Sequence, residues 1–311
     1  MEAPPKESQE VDLGIFEGVS YEQYDEWSGL RKSRLWTIVQ SSPRKFKWEI
    51  EHPRPTTPSL DLGRACHCSV FEPDKFDVLY VPTPPPPAGA EKWDRRTKVH
   101  KEAWAEFLCE NAGKEILEPG EYEKCLLMRE NVRQHPQVAP YLEAAKFEVS
   151  MRWRDVGTSL LLKGRMDAWI PQTGLFMDLK TCRFPTQRAA ENASYRFGYH
   201  FQAALYQDGL RTIADKVDTP RFIFVESEPP FDLITYIFAP EFLELARSQY
   251  EHALGAVKAC AAANVWPGYS EELQQLELPP YAGYEIVPDA VLPDSGPDDQ
   301  DEESMADFGV I

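Results

Sequence analysis

Three strand-like segments follow one another with only short turns between them, and this feature limits the folds open to the chain. They are KFEVSMRWR (146–154), SLLLKGRMDAWI (159–170) and GLFMDLKTC (174–182), joined at DVGT and PQTG. Turns this short connect antiparallel neighbours. The sequence therefore predicts a three-stranded antiparallel meander.

Helical patterns precede this meander and alternate with strands after it. Before it, apolar spacing predicts helices over 28–40, from Pro43 with Ser42 as N-cap, over 60–71, and over 119–143 with an interruption at Pro136. After it come a helix (195–214), strands at 221–228 and 232–239, and a closing helix from Pro240. This order predicts the α/β class, with a central mixed sheet flanked by helices and a helical N-terminal part.

Charged residues interrupt two of the apolar strands. Asp167 lies in the second, and Asp178 and Lys180 share one face of the third while Leu179 points to the other. Two neighbouring, partly buried carboxylates repel each other and lose hydration, so they need a neutralising partner. Either a divalent cation such as Mg²⁺ or Mn²⁺ binds the two acids and the Leu179 carbonyl, or Lys180 forms a structural salt bridge.

The charge distribution separates the ends of the chain from its centre. The net charge is −18, and nine acids with no Lys or Arg lie between 285 and 311. Composition predicts a flexible tail at 1–12, one folded domain at 13–287 and a disordered acidic tail at 288–311. The acidic tail either aids solubility, docks a basic partner or competes with DNA for the groove. With no apolar run long enough to span a bilayer, we expect a cytoplasmic protein without membrane contact.

General affinity for nucleic acid is not expected of a chain this acidic. Two local basic clusters are nevertheless candidates for phosphate contact, represented by Arg44 and Lys45 in the first and by Arg95 and Arg96 in the second. The alternative is that both clusters are solvated helix surfaces. Six cysteines without a C-x-x-C pair indicate reduced thiols, and we expect no iron–sulfur cluster.

An ordered series of motifs resembles a known family. D-(x)10-D-L-K, preceded by GRM and followed by HFQAALY, resembles the PD-(D/E)xK nuclease superfamily. Together with YEQYDEWSGLRKSRLWTIVQSSPRKFKW and LDLGRACHCSVF, the series looks most like the exonuclease VIII (RecE) nuclease domain of bacteria and phages, over about residues 18–270. The resemblance implies a restriction-endonuclease-like core.

The resemblance also implies roles for individual residues. Asp167 and Asp178 would be metal ligands, Lys180 the catalytic lysine, and His67 a further ligand, although taken alone His67 reads as a core histidine. Gln202 and Tyr206 share a helix face, so they either pack on the sheet, or orient Lys180 or contact the DNA strand at the site. Glu148 is either another acid near the metal or a solvated strand charge.

Arg165 is two residues from Asp167, and in a regular strand the two side chains share a face. It either meets the scissile phosphate or pairs with Asp178. Both alternatives place it at the predicted site.

The expected activity is a Mg²⁺-dependent exodeoxyribonuclease that resects linear double-stranded DNA, with Mn²⁺ able to substitute. The family implies 5′ to 3′ polarity, a role in recombination, a homotetramer, and cooperation with a single-strand annealing protein of the RecT type in a bacterial or phage-infected cell. Two alternatives stay open: a related nuclease of different polarity or helicase-coupled type, and a non-catalytic DNA-binding protein with the nuclease fold.

Overall fold

The structure is a computed structural model that describes residues 12–52, 58–87, 89–94 and 96–277. Its helices are α1 (Tyr21–Glu26), α2 (Lys32–Gln40), α3 (Pro43–Glu51), α4 (Pro58–Phe71), α5 (Pro73–Leu79), α6 (Lys98–Glu110), α7 (Pro119–Gln134), α8 (Ala139–Leu142), α9 (Gln187–Phe197), α10 (Tyr199–Ile213) and α11 (Pro240–Ala263). Its strands are β1 (Gly14–Phe16), β2 (Tyr80–Pro82), β3 (Glu115–Leu117), β4 (Lys146–Arg154), β5 (Leu161–Ile170), β6 (Leu175–Cys182), β7 (Arg221–Glu226) and β8 (Leu233–Tyr236). The predicted tails, except Asp12, and Arg95 lie outside the described residues.

One six-stranded sheet organises the described part of the chain, in the order β1-β4-β5-β6-β7-β8. The meander β4-β5-β6 is antiparallel as predicted, β6 and β7 are parallel, and β7 and β8 are antiparallel. The parallel pair needs a crossover, which α9 and α10 provide. The predicted α/β class and the mixed sheet flanked by helices are confirmed.

Helices cover both faces of this sheet. On one face, which we call the α10 face, α10, α11, α2 and α3 pack over strand side chains such as Met151 and Phe222. On the other, the α4 face, α4, α5 and α7 pack over side chains such as Leu179 and Ile223. Each face has its own buried apolar cluster, so the sheet separates two hydrophobic cores.

Local sequence signals explain where several helices begin. Ser42 accepts a hydrogen bond from the Lys45 N–H at 3.2 Å, with Pro43 following it, as predicted for α3. The helix predicted over 28–40 begins only at Lys32, because Leu30 forms a bridge with Leu162 of β5 instead. The sequence pattern does not predict the short elements α1, α5, β1, β2 and β3 or the helix α6.

The single helix predicted over 195–214 is wrong, because the chain forms two helices there. Gly198 separates them in the left-handed region, with φ of 68°. A Cβ at this position would lie 2.6 Å from the Trp36 ring, so the junction requires glycine for its backbone conformation and for its space. The break lets α10 take its own direction across the sheet.

Among the described residues, no helix combines the length and the apolar character needed to cross a bilayer.

Candidate metal centre and catalytic lysine

Strands β5 and β6 separate part-way along their length. Their ladder runs from the turn to Ala168 opposite Met177, and no further pairing of the two strands follows. At the point of separation the Asp167 carboxylate takes the place of a backbone acceptor, with Oδ2 accepting the Leu179 N–H at 2.7 Å. Beyond this point β6 stays paired with β7 through Cys182. The gap between the strands is where the predicted site residues meet.

A local distortion in β4 and β5 turns side chains into this gap. Residues two apart in a strand normally share a face. Here Val149 and Met166 pack on the α10 face, whereas Phe147 and Ala168 pack on the α4 face. The change of face occurs between them, at Glu148, whose φ is +52°, a conformation that costs a non-glycine residue about 1–3 kcal/mol.

Three potential ligand side chains converge at this distortion. His67 comes from α4, and its Nδ1 lies 3.2 Å from Asp167 Oδ2. One ligand atom each from His67, Glu148 and Asp167 lies within 4.8 Å of the others. We call these three residues the metal triad. An imidazole nitrogen and two carboxylate oxygens form a donor set that suits a divalent cation of the Mn²⁺ or Mg²⁺ kind.

Arg165 holds Glu148 in its distorted position. Its Nε donates to Glu148 Oε2 at 2.6 Å, and its Nη1 donates to the Val19 carbonyl at 2.9 Å and to Ser150 Oγ at 3.1 Å. In the structure Arg165 therefore pairs with Glu148 and not with Asp178. The predicted contact of Arg165 with phosphate stays a prediction.

A second group, which we call the lysine network, lies on the α10 face of the gap. The Lys180 ammonium contacts Asp178 Oδ1, and the Gln202 amide donates to Asp178 Oδ2. Lys180 Nζ also lies 3.5 Å from Gln202 Oε1 and 4.8 Å from the centroid of the Tyr199 ring. Asp178 is only 2 % exposed, and its buried Oδ1 has the ion pair but no hydrogen bond of ordinary geometry. Asp178 is therefore held by the other members of the lysine network, and its role as a metal ligand stays a prediction.

The pKa values of the two acids at the gap, Asp167 and Asp178, shift in opposite directions. Burial disfavours the charge on Asp167, but His67, Lys180 and the Leu179 N–H together lower its pKa. Burial and the neighbouring charge of Asp167 raise the pKa of Asp178, against the opposing effect of Lys180. The two carboxylates are therefore not equivalent.

The pKa values of His67, Glu148 and Lys180, which surround these acids, are all raised. Burial opposes the charge of His67, yet Asp167 raises its pKa. Burial and the charge of Asp167 raise the pKa of Glu148, although Arg165 opposes the shift. Burial also opposes the charge of Lys180, and the nearby Asp178 outweighs it and raises the pKa. Mutual repulsion among three acids is what a bound cation relieves.

Tyr206, predicted to act beside Gln202, lies one turn further along α10. Its ring packs over Gly164, where a Cβ would come within 2.8 Å, and its hydroxyl accepts the Arg165 N–H at 3.4 Å. Burial raises the pKa of this phenol. Tyr206 therefore supports β5 beneath the gap, and Gln202 is the residue of this pair that contacts the lysine network.

The basic residues predicted to bind DNA make their described contacts elsewhere. Lys45 lies 3.9 Å from Glu49 and 4.5 Å from the Trp48 ring centroid, and Arg96 is paired with Asp94. Arg44 is exposed at the start of α3. Their role, like that of the Leu179 carbonyl, stays a prediction.

Glu148 is the site residue whose position the sequence least reveals. Its proximity to His67 and Asp167 depends on the positive φ and on the Arg165 contact. Neither can be predicted from the spacing of residues in the sequence. The available signal is an acid in an otherwise apolar strand, at the position between Phe147 and Val149.

Comparisons with known proteins concern the family and the fold of the chain. The sequence profile of a family described as "PDDEXK-like domain of unknown function (DUF3799)" matches residues 41–279. A solved structure described as a "Putative exonuclease" from Eubacterium rectale superposes with a TM-score of 0.56 at 15 % identity, covering 83 % of this chain and 93 % of that one. A phage related exonuclease from Haemophilus somnus 129PT aligns with a TM-score of 0.33 at 16 % identity, over 54 % of this chain and 85 % of that one. No curated protein matches in sequence.

Proposed function

Because the chain belongs to the family of PDDEXK-like domains of unknown function, we propose that it is a metal-dependent deoxyribonuclease. One observation carries the proposal: the metal triad and the lysine network face the same gap between β5 and β6. Three acids, a histidine and a buried lysine in one gap suit phosphodiester hydrolysis, in which negative charge grows on phosphate oxygens.

The residues that would hold the metal are His67, Glu148 and Asp167, with Asp178 and the Leu179 carbonyl as the further ligands expected from the sequence. The bound ion would acidify a water molecule and polarise the phosphoryl oxygen. We propose Mg²⁺ as the cofactor, with Mn²⁺ able to substitute. The imidazole in the donor set favours tighter binding of Mn²⁺ than of Mg²⁺.

The lysine network supplies a positioned ammonium. Asp178 and Gln202 hold Lys180 from two sides, and the Tyr199 ring covers it. From this position Lys180 can donate to the attacking water or to a phosphate oxygen, and Asp178 keeps it charged. Because the network is buried, these interactions are stronger than they would be in water.

The finer parts of the proposal rest on the sequence resemblance to the exonuclease VIII (RecE) domain. We propose that the substrate is the end of linear double-stranded DNA, degraded 5′ to 3′ to expose a single strand for recombination. A homotetramer and a single-strand annealing partner of the RecT type, acting in the cytoplasm of a bacterial or phage-infected cell, belong to the same proposal.

Digestion of end-labelled linear and circular duplexes with Mg²⁺ or Mn²⁺ tests the proposal. The expected result is loss of the linear duplex from its 5′ ends with the circular duplex intact. Degradation of circular DNA would replace exonuclease with endonuclease, and release of the 3′ label first would reverse the polarity. Metal-independent binding without cleavage would favour the non-catalytic alternative.

Matched variants assign any cleavage to this gap. Asp178→Ala and Lys180→Ala should each lower the cleavage rate by about 10²-fold or more. The controls are Asp215→Ala and Lys216→Ala, an exposed acid and an exposed lysine; the Lys216 ammonium contacts the Gln172 carbonyl at the β5–β6 turn, far along the strands from the gap. Full activity in Asp178→Ala or Lys180→Ala would overturn the assignment.

A further inference from the structure

The loop that follows β6 presents an aromatic ring and a guanidinium to solvent, close to the lysine network. Phe184 is 53 % exposed, and the Arg183 guanidinium lies 5.3 Å from the centroid of its ring. Arg183 is exposed as well, and within the described residues it makes no ion pair.

The backbone around this pair is fixed. The Cys182 carbonyl accepts the Ser227 N–H at 2.8 Å, and the Pro185 carbonyl accepts the Tyr236 hydroxyl at 2.7 Å. Thr186 then caps α9 by accepting the Ala189 N–H. Phe184 is thus held outward by a loop anchored on both sides, and binding to it requires little ordering of the backbone.

The position of the loop connects it to the gap. β6 runs from its turn past Asp178 and Lys180, so the residues after Cys182 lie at the end of the strand where β5 has separated from it. Phe184 and Tyr199 line the same mostly apolar pocket, and the Tyr199 ring is the one that covers Lys180. An extended chain rises about 3.3 Å per residue, so Phe184 lies at most roughly 13 Å beyond Lys180.

We infer that Phe184 and Arg183 form a stacking platform for an unpaired nucleotide of the DNA strand held at the gap. The inference rests on the proposed function and names which part of the substrate this surface contacts. Phe184 would stack on the base, and Arg183 would contact the adjacent phosphate. Aromatic rings beside a free cation bind single strands in this way because every base has a π-face.

The test is DNA binding in the Lys180→Met background, so that the substrate stays intact in Mg²⁺. Single strands and linear duplexes carry 2-aminopurine at successive positions from one end, and its fluorescence falls when it stacks on an aromatic ring. The expected result is quenching at one end position, lost in Phe184→Ala and kept in Phe184→Trp. The dissociation constant for the single strand should rise roughly 5- to 150-fold in Phe184→Ala.

Two further variants make the test specific. Tyr195→Ala removes a ring of similar exposure from the part of α9 that does not line the pocket, and it should bind like the background protein. Arg183→Gln should reduce the slope of log affinity against log salt by about 0.7 for a single strand. Circular dichroism and thermal unfolding should show that each variant is folded.

The outcomes separate this inference from the proposed function. If the wild-type protein cleaves DNA while Phe184→Ala retains the quenching and the affinity, the platform is overturned and the nuclease stands. If Phe184→Ala changes the oligomeric state measured by light scattering and not the affinity, the surface is a contact between copies of the chain. If the wild-type protein neither binds nor cleaves DNA, the proposed function fails first.

Discussion

Asp167 and Asp178 lie on neighbouring strands at one gap, yet the metal triad and the lysine network around them are built differently. The network on the α10 face is internally paired: Asp178 contacts both Lys180 and Gln202. The triad combines two carboxylates and an imidazole, and one of its members has a strained backbone. Asp167 pairs with His67 and Glu148 with Arg165, and a bound cation would further relieve the repulsion between the two carboxylates.

The two groups differ because the strands that carry them differ in regularity. Regular alternation in β6 sends Asp178 and Lys180 to the α10 face together. The change of face in β4 and β5 sends Glu148 and Asp167 toward α4, where His67 lies. A regular strand supplies the lysine network, and a distorted pair of strands supplies the metal triad.

The largest effect should come from Asp167→Asn, because this residue belongs to the metal triad and also supports β6. Its carboxylate contacts His67 and accepts the Leu179 N–H, so loss of its charge removes a ligand and weakens the junction of β5 and β6. Loss of several kcal/mol of transition-state stabilisation corresponds to a cleavage rate lower by about 10³-fold or more. Single-turnover cleavage and titration with Mn²⁺ should both show the loss; a variant that still binds Mn²⁺ normally would remove Asp167 from the triad.

Lys180→Met should separate the two groups. Cleavage should fall by about 10²- to 10³-fold, because the positioned positive charge and hydrogen-bond donor are gone. Mn²⁺ affinity, measured by calorimetry, should change little or rise, because Asp178 is freed from its ion pair. A large fall in Mn²⁺ affinity would show that the network and the triad are one unit.

Some of this arrangement could be predicted from the sequence. Segment 146–154 matches β4 residue for residue, and the placement of Asp178 and Lys180 on one face follows from the period of a regular strand. The Ser42 cap could be predicted because it depends only on Ser42 and the adjacent Pro43. The PD-(D/E)xK resemblance, now supported by the family match, came from the order of motifs along the chain.

The remainder depends on contacts that spacing does not encode. Arg165 was expected near phosphate or Asp178, but it pairs with Glu148 across β4 and β5. The expectation assumed regular alternation, which Glu148 breaks with its positive φ. His67 meets Asp167 from a helix far earlier in the chain, and only the packing of α4 on the sheet brings them together.

A pair of substitutions at Glu148 tests whether the strain serves the metal. Glu148→Ala and Glu148→Gly both remove the carboxylate, and we expect Mn²⁺ affinity to fall about 10- to 100-fold in each, as for groups that support a metal site. Only glycine relieves the left-handed backbone, so Glu148→Gly should unfold at a higher temperature than Glu148→Ala, by about 1 kcal/mol of stability. Equal stabilities would mean that Glu148 is not strained.

The smallest effect on the chemistry should come from Gly164→Ala, which acts on the support beneath the gap. The added methyl group would meet the Tyr206 ring at 2.8 Å and the end of the Met151 side chain at 2.9 Å. Overpacking of this kind costs about 1–3 kcal/mol of unfolding free energy, measurable by denaturant titration. Mn²⁺ affinity should stay within a few-fold of the wild type, because neither of these two side chains contacts the metal triad directly.

Tyr206→Phe is the matched control, since it removes only the hydroxyl that accepts the Arg165 N–H and leaves the ring in place. If Gly164→Ala disrupts Mn²⁺ binding as strongly as Glu148→Ala, the triad depends on the α10 face, and the division between the two groups does not hold.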